Sequence, residues 1–150
     1  MEIEKKYLVD KSRLSEILAK RVSTYRIEQY YLNDMNDNWL IRVRSMDNEF
    51  FLTLKSKGLL SREELEYRII RQDFEKTILQ AKTKLKKNRH HLYKDGYLFE
   101  IDVYDDYEFV TCEVEFPTEE EAIAFDAIKP DWCLQDITED KKYKNVNLAK

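Results

Sequence analysis

Apolar and polar residues alternate along most of this chain, and three stretches follow a helical spacing instead. The alternation predicts strands near 2–9, 23–32, 39–46, 49–57, 62–70, 84–94, 97–104 and 109–116, because a half-buried strand repeats every second residue. Short polar breaks separate many of these runs: Asn33 to Asn38, Asp47-Asn48, Gly58 to Ser61, Lys94 to Gly96 and Asp105 to Glu108. Breaks of this kind suit hairpins, so the strands are expected to pair antiparallel, each with its neighbour in sequence. Helices are expected over 11–20, 72–82 and 118–127. There Leu14, Ile17 and Leu18, then Phe74, Ile78 and Ala81, then Ala122 and Phe125, fall on one face. Thr118 followed by Glu121 has the form of a capping box just after Pro117.

The charged residues obey the same period as the strands. They occur two positions apart as Glu2, Glu4 and Lys6; Arg42 and Arg44; Lys55 and Lys57; Glu64 and Glu66; Lys87 and Arg89; Glu100 and Asp102; Glu113 and Glu115. Each set therefore shares one face of its strand, with Ile3, Val43, Leu54, Leu65, Phe99, Ile101, Cys112 and Val114 among the residues on the other. A charged face turned to solvent over an apolar core is the ordinary arrangement for an antiparallel sheet. Repetition in seven strands favours a second arrangement, in which eight strands close into a barrel, the apolar faces meet the helices outside, and the charged faces line the lumen. Eight carboxylates against seven cations make such burial conceivable. The expected fold class is thus mainly β with peripheral helices (α+β), a closed eight-stranded antiparallel β-barrel enclosing a tunnel.

Composition narrows what that lumen can serve. A chain of 150 residues suits a single domain spanning 1–150. With 26 Lys and Arg against 30 Asp and Glu the net charge is −4, which argues against a nucleic-acid or membrane partner and requires a local cluster for any polyanion. Two Gly and two Pro in the whole chain exclude a glycine-rich phosphate loop, so phosphate chemistry must use side chains. Cys112 and Cys133 lack metal or redox spacing, and with no apolar leader the expected location is cytoplasmic. Carboxylates collect hard cations such as Mg²⁺, and Lys and Arg collect phosphate oxygens; together they suit a metal–phosphate complex, whose chemistry needs positioning and charge rather than a Ser, Cys or His nucleophile. The neighbours His90 and His91 point to opposite faces and do not make a metal site. Tyr31 is the better candidate of Tyr30 and Tyr31 for a hydroxyl directed at substrate, although packing explains both. Lys82 to Lys87 reads as a solvated turn entering the Lys87 strand.

The opening residues Met-Glu-Ile-Glu-Lys-Lys-Tyr-Leu-Val hold Glu2, Glu4 and Lys6 in a pattern that resembles the ExExK start of the CYTH domain of triphosphate tunnel metalloenzymes. Similar blocks follow in that family's order: Leu40 to Arg44, Leu52 to Lys57, Ser61 to Glu66, Leu98 to Asp102, Cys112 to Glu115 and Ile137 to Asn145. The resemblance implies a metal-dependent phosphoanhydride hydrolase in an eight-stranded tunnel. It gives Lys6, Arg42, Arg44, Lys55, Lys57, Lys87 and Arg89 to substrate phosphates, Glu2, Glu4, Glu64, Glu66, Glu113 and Glu115 to Mg²⁺ (or Mn²⁺), and catalysis to Glu4 and Lys6. Lys57, Glu100 and Asp102 are expected in the lumen, and His90 stands where the family suggests Tyr. Inorganic triphosphate is the leading substrate, with nucleoside triphosphates secondary. Thiamine triphosphatase, class IV-type adenylyl cyclase and a non-catalytic polyanion-binding module are the alternatives. No residues visibly read a nucleobase, and the carboxylate pairs have no purpose in a module that only binds anions.

Overall fold

The computed structural model describes residues 1–150 except Met35 and Leu59, which fall within two of the expected turns. The strands are β1 (Glu2–Val9), β2 (Ser23–Tyr31), β3 (Trp39–Met46), β4 (Glu49–Ser56), β5 (Ser61–Arg62), β6 (Glu64–Ile69), β7 (Thr83–Lys94), β8 (Tyr97–Tyr104), β9 (Val110–Glu115) and β10 (Cys133–Asp136). Helices α1 (Leu14–Leu18), α2 (Arg71–Thr77) and α3 (Glu119–Ala124) occupy the expected helical stretches, and α4 (Asn145–Leu148) is an addition. No helix among the described residues is long and apolar enough to cross a membrane.

All pairings are antiparallel, in the order β10-β1-β9-β8-β7-β2-β3-β4-β6, with β5 returning to β1. Counting β5 and β6 as one strand interrupted at Glu63, the ring has eight strands. Pairing is not sequential throughout, which corrects the sequence expectation: β2 lies beside β7, and β5 beside β1. The reason is the connections. The tight breaks make neighbours of β3 and β4 and of β7 and β8. The helical connectors at 10–22 and 70–82 are long enough to carry the chain to a distant strand. At Asp95-Gly96 both residues have positive φ (54° and 84°), the backbone that a two-residue hairpin turn requires.

Closure is confined to one end. On one edge of β1, Glu2 and Ile3 pair with Arg62 and Ser61, whereas Tyr7 and Val9 pair with β10. Between them Lys6 N donates to Thr138 Oγ1 at 3.0 Å, and Ile137 N donates to Lys6 O at 2.8 Å. Residues 137–149 then run across one end of the barrel, where Leu148 and Ala149 pack with the inward-facing Tyr31, Leu85 and Tyr104.

The main core lies outside the barrel. Tyr7, Phe99, Ile101, Cys112 and Val114 project from β1, β8 and β9 against Ala122, Phe125 and Trp132. Complete burial of a side chain as large as Phe125 contributes about 1.5–3 kcal/mol. Thr118 Oγ1 accepts from Glu121 N at 3.2 Å as expected for a helix start, but the Glu121 carboxylate accepts from Tyr97 OH at 3.0 Å, which fastens α3 to β8. On the opposite wall Phe74 of α2 packs on Val43 and Phe50. The outer face departs from the expected pattern in two places. Leu65 and Tyr67 of β6 are exposed, and Lys5 faces outward to bridge Asp126 and Asp136 at 2.9 Å each.

Candidate functional site

The lumen is a cavity of about 720 Å³. Glu2, Glu4, Lys6, Arg42, Arg44, Lys55, Lys57, Glu64, Glu66, Arg89, Glu100, Glu113 and Glu115 all line it, so strand alternation places these side chains as the charged-face pattern requires. Lys57, Glu66 and Glu115 are the most exposed of them. Lys87 and Asp102 are inward-facing but lie deeper, fully buried within the wall.

One region is acidic. Glu4 and Glu115 are directly opposed across β1 and β9, and Glu2 and Glu64 share a hydrogen bond. Burial, with Glu113 close by, raises the Glu4 carboxyl to about 7. Burial and the hydrogen bond to Glu2 raise Glu64 to about 7 as well. Burial opposes the charge on Glu2, yet the bond from Glu64 together with Lys55 and Arg62 brings it down to about 2. Lys55 Nζ reaches Glu2 Oε1 at 3.2 Å. Arg62 bonds both acids of the opening motif: Nε donates to Glu2 Oε1 at 3.0 Å and Nη2 to Glu4 Oε1 at 2.7 Å.

A second region has cations in excess. Arg42 Nη2 donates a long bond, 3.4 Å, to Thr53 Oγ1, and Arg44 Nη2 donates to Glu66 Oε1 at 3.1 Å. The Nε–H groups of Arg42 and Arg44 are buried and have no acceptor among the described residues. Burial, with Arg42 and Arg89 nearby, lowers Arg44 to about 10. Burial and Arg62 lower Lys144 to about 8. Lys6 Nζ donates to Tyr143 O at 2.6 Å and lies 3.8 Å from Glu113 Oε1, and burial pushes its pKa down.

The third region is an ion network in which the cavity-lining Arg89, Glu100 and Glu113 meet the buried Lys87 and Asp102. Arg89 forks onto Asp102, with Nε to Oδ1 and Nη2 to Oδ2 both at 2.8 Å, and it also reaches Glu100 at 3.1 Å and Glu113 at 3.3 Å. Lys87 Nζ donates to Asp102 Oδ2 at 2.7 Å. Burial would raise Glu113, but Arg89, Lys6 and Lys87 overcome it and hold its carboxyl well below the usual range. His91 faces inward, with Nε2 3.3 Å from Glu100 Oε2, while His90 faces outward with Nδ1 2.8 Å from Thr24 Oγ1, so the pair is divided as its alternation requires.

Arg62, Thr138, Lys141, Lys144 and Asn145 also line the cavity and were not singled out from the sequence. Arg62 was visible there, since it stands two positions before Glu64 and so shares its face. The others come from the turns and single-turn helices of 138–145, which are too short for a period to announce orientation.

The acidic region fits a hard divalent cation in its donors: carboxylate oxygens held close enough that burial and mutual repulsion keep Glu4 and Glu64 partly protonated. Among the described residues no three such groups yet converge on one point, with Glu2 and Glu4 turned onto Arg62.

Comparison with known proteins agrees with this geometry. The chain is 38% identical to an inorganic triphosphatase of Nitrosomonas europaea, over 99% of this chain and 96% of that protein. It is 32% identical to an inorganic triphosphatase of Acetivibrio thermocellus, over 99% and 93%. A crystal structure of an inorganic triphosphatase superposes with a TM-score of 0.70 at 34% identity, covering 99% of this chain and 94% of the other. The CYTH domain model matches residues 1–144, and the chain belongs to the CYTH domain family.

Proposed function

We propose that this protein hydrolyses inorganic triphosphate in its barrel lumen, with Mg²⁺ or Mn²⁺ bound by the acidic region. The observation that carries the reading is the pair of buried Nε–H groups on Arg42 and Arg44, without an acceptor among the described residues, in a cavity shared with carboxylates of which Glu4 is raised to about 7 by burial and Glu113. An unsatisfied buried donor is costly, and phosphate oxygens supply the missing acceptors in the forked geometry that guanidinium groups favour. The triphosphatase activity of the two relatives at 38% and 32% identity supports the same substrate class.

In this reading Arg42, Arg44, Lys6, Lys55, Arg89 and Lys144 hold the phosphate chain, and Lys57 meets it at the more exposed margin. Glu2, Glu4, Glu64, Glu66, Glu113 and Glu115 supply oxygen ligands or orient water. Asp102 fixes Arg89 in place, and Lys87, bonded to Asp102, supports that anchor from behind. When bound, the metal neutralises phosphate charge and lowers the pKa of coordinated water. Glu4 orients the attacking water, while Lys6 offsets charge on the transferred group. A cavity of this size admits one small ligand.

The test is a panel measuring phosphate release from inorganic triphosphate, ATP and thiamine triphosphate with Mg²⁺ or Mn²⁺, alongside cyclic AMP. Release is expected to be fastest with inorganic triphosphate, to stop with EDTA and to return with either metal. Turnover that survives thorough chelation, or cyclic AMP as the main product, overturns the reading.

A further inference from the structure

The acid pair at the start of β1 already holds a cation, and it belongs to the protein. The Arg62 guanidinium spans Glu2 and Glu4 with bonds of 3.0 and 2.7 Å. Its position is set by the barrel itself, because Arg62 is directly opposite Glu2 in the two-pair closure of β5 on β1. Lys55 adds a further cation to Glu2 at 3.2 Å. The oxygens that Arg62 occupies are those a divalent cation needs, and a guanidinium and a dication repel each other at such range.

We infer that Arg62 is an internal counter-cation, displaced from Glu2 and Glu4 when the divalent metal binds and thereby released to the phosphate oxygens of the ligand. The inference rests on the assignment of Glu2 and Glu4 to metal in the proposed function. Arg62 lines the cavity, and Lys55 and Lys144 on its borders are both pushed toward their neutral forms by burial and by neighbouring cations that include Arg62. Freed positive charge would then face these cations, with Glu113 the remaining acid near it and already held by Arg89 and Lys6, so it is met best by an anion. Metal and triphosphate then bind with positive coupling, each favouring the arrangement that the other requires.

The experiment is calorimetric titration of Mn²⁺ into wild type, Arg62→Gln and Arg62→Lys without phosphate, followed by triphosphate titration in Ca²⁺, with circular dichroism to verify folding. Arg62→Gln is expected to bind Mn²⁺ about tenfold more tightly than wild type and triphosphate about tenfold more weakly, within the usual range of coupling between sites. Arg62→Lys, which keeps the charge and loses the fork, is expected to fall between them. Unchanged or weaker Mn²⁺ binding by folded Arg62→Gln overturns the counter-cation role and leaves the metal site standing. Absence of Mn²⁺ binding by wild type overturns both. Should the variants not fold, wild type labelled with ¹⁵N at arginine serves instead. The Arg62 Nε–H signal, assigned through its contacts to β1, must shift and exchange faster with solvent on saturation with Ca²⁺, and an unmoved signal refutes displacement.

Discussion

Replacing Asp102 with Asn keeps the shape of the side chain and removes the charge on which two buried cations converge. The carboxylate accepts one bond from Lys87 and two from Arg89, at 2.7, 2.8 and 2.8 Å, and is itself fully buried. An amide offers one acceptor and turns its own N–H groups toward a cation. Breaking a buried ion pair from one side costs about 3–5 kcal/mol. Arg89 retains Glu100 and Glu113, so most of the deficit falls on Lys87, which burial and Arg89 have already lowered to about 8. Without Asp102 its folded pKa drops further, and the ammonium sheds its proton near neutrality. The unfolded chain then holds one more proton than the folded variant, so the variant gains stability as pH rises, by about 1.4 kcal/mol per unit. Wild type lacks this slope below about 8, the pKa of its Lys87. Urea unfolding between about pH 6.5 and 8 should therefore show a deficit that shrinks with pH and that corresponds near neutrality to a Tm loss of roughly 6–20 °C. Adding Lys87→Met should recover part of the loss. A deficit below about 1 kcal/mol, or one that does not change with pH, refutes Asp102 as the counter-ion of this layer.

Three further expectations concern the cavity. Glu4→Gln should lower kcat by orders of magnitude while triphosphate binding in Ca²⁺ largely survives, whereas Lys6→Ala should lose both; steady-state kinetics with calorimetry separates them, and an unaltered kcat in folded Glu4→Gln removes that residue from the reaction. Glu4 and Glu64 titrate at about 7, and as the proposed metal ligands they would act only when ionised, so Mn²⁺ affinity should rise with pH through neutrality, with protons released on binding at the acid side. Calorimetry in buffers of different ionisation heat reads those protons directly. Arg44→Gln should leave the ligand-free protein as stable as wild type or up to about 1–3 kcal/mol more stable, because a buried unaccepted donor disappears, and should weaken triphosphate binding. Denaturant melts with and without triphosphate check both halves.

Alternation made the barrel and most of its lining legible, because the face on which Glu4, Arg44, Lys55 or Glu115 lies depends only on whether its position is odd or even within a strand. Depth is not encoded that way. Lys87 and Arg89 share a face, yet Arg89 lines the cavity and Lys87 sits within the wall, since strand tilt and cross-strand partners decide height. Sequential pairing failed where a helix intervenes, because the pattern of β2 is equally compatible with β1 or β7. β10 and α4, at four residues each, are too short for any period to register, and their place is set by contacts with Tyr7, Val9, Tyr31 and Leu85 far away in sequence.

The division of one β1 edge between β5 and residues 133–138 has a consequence for synthesis on the ribosome. Residues 2–9 are made early, but β1 finds no lasting partner until β5 and then β9 have emerged. Lys6 acquires the Tyr143 carbonyl later still. The lumen therefore remains unsealed along that edge until residues 133–138 have been translated, and stopping translation before residue 143 leaves the ammonium of Lys6 without its backbone acceptor. A nascent or truncated chain can thus possess every expected phosphate-binding residue from Lys6 to Arg89 and still lack a finished chamber, which is completed only when residues 133–143 have followed.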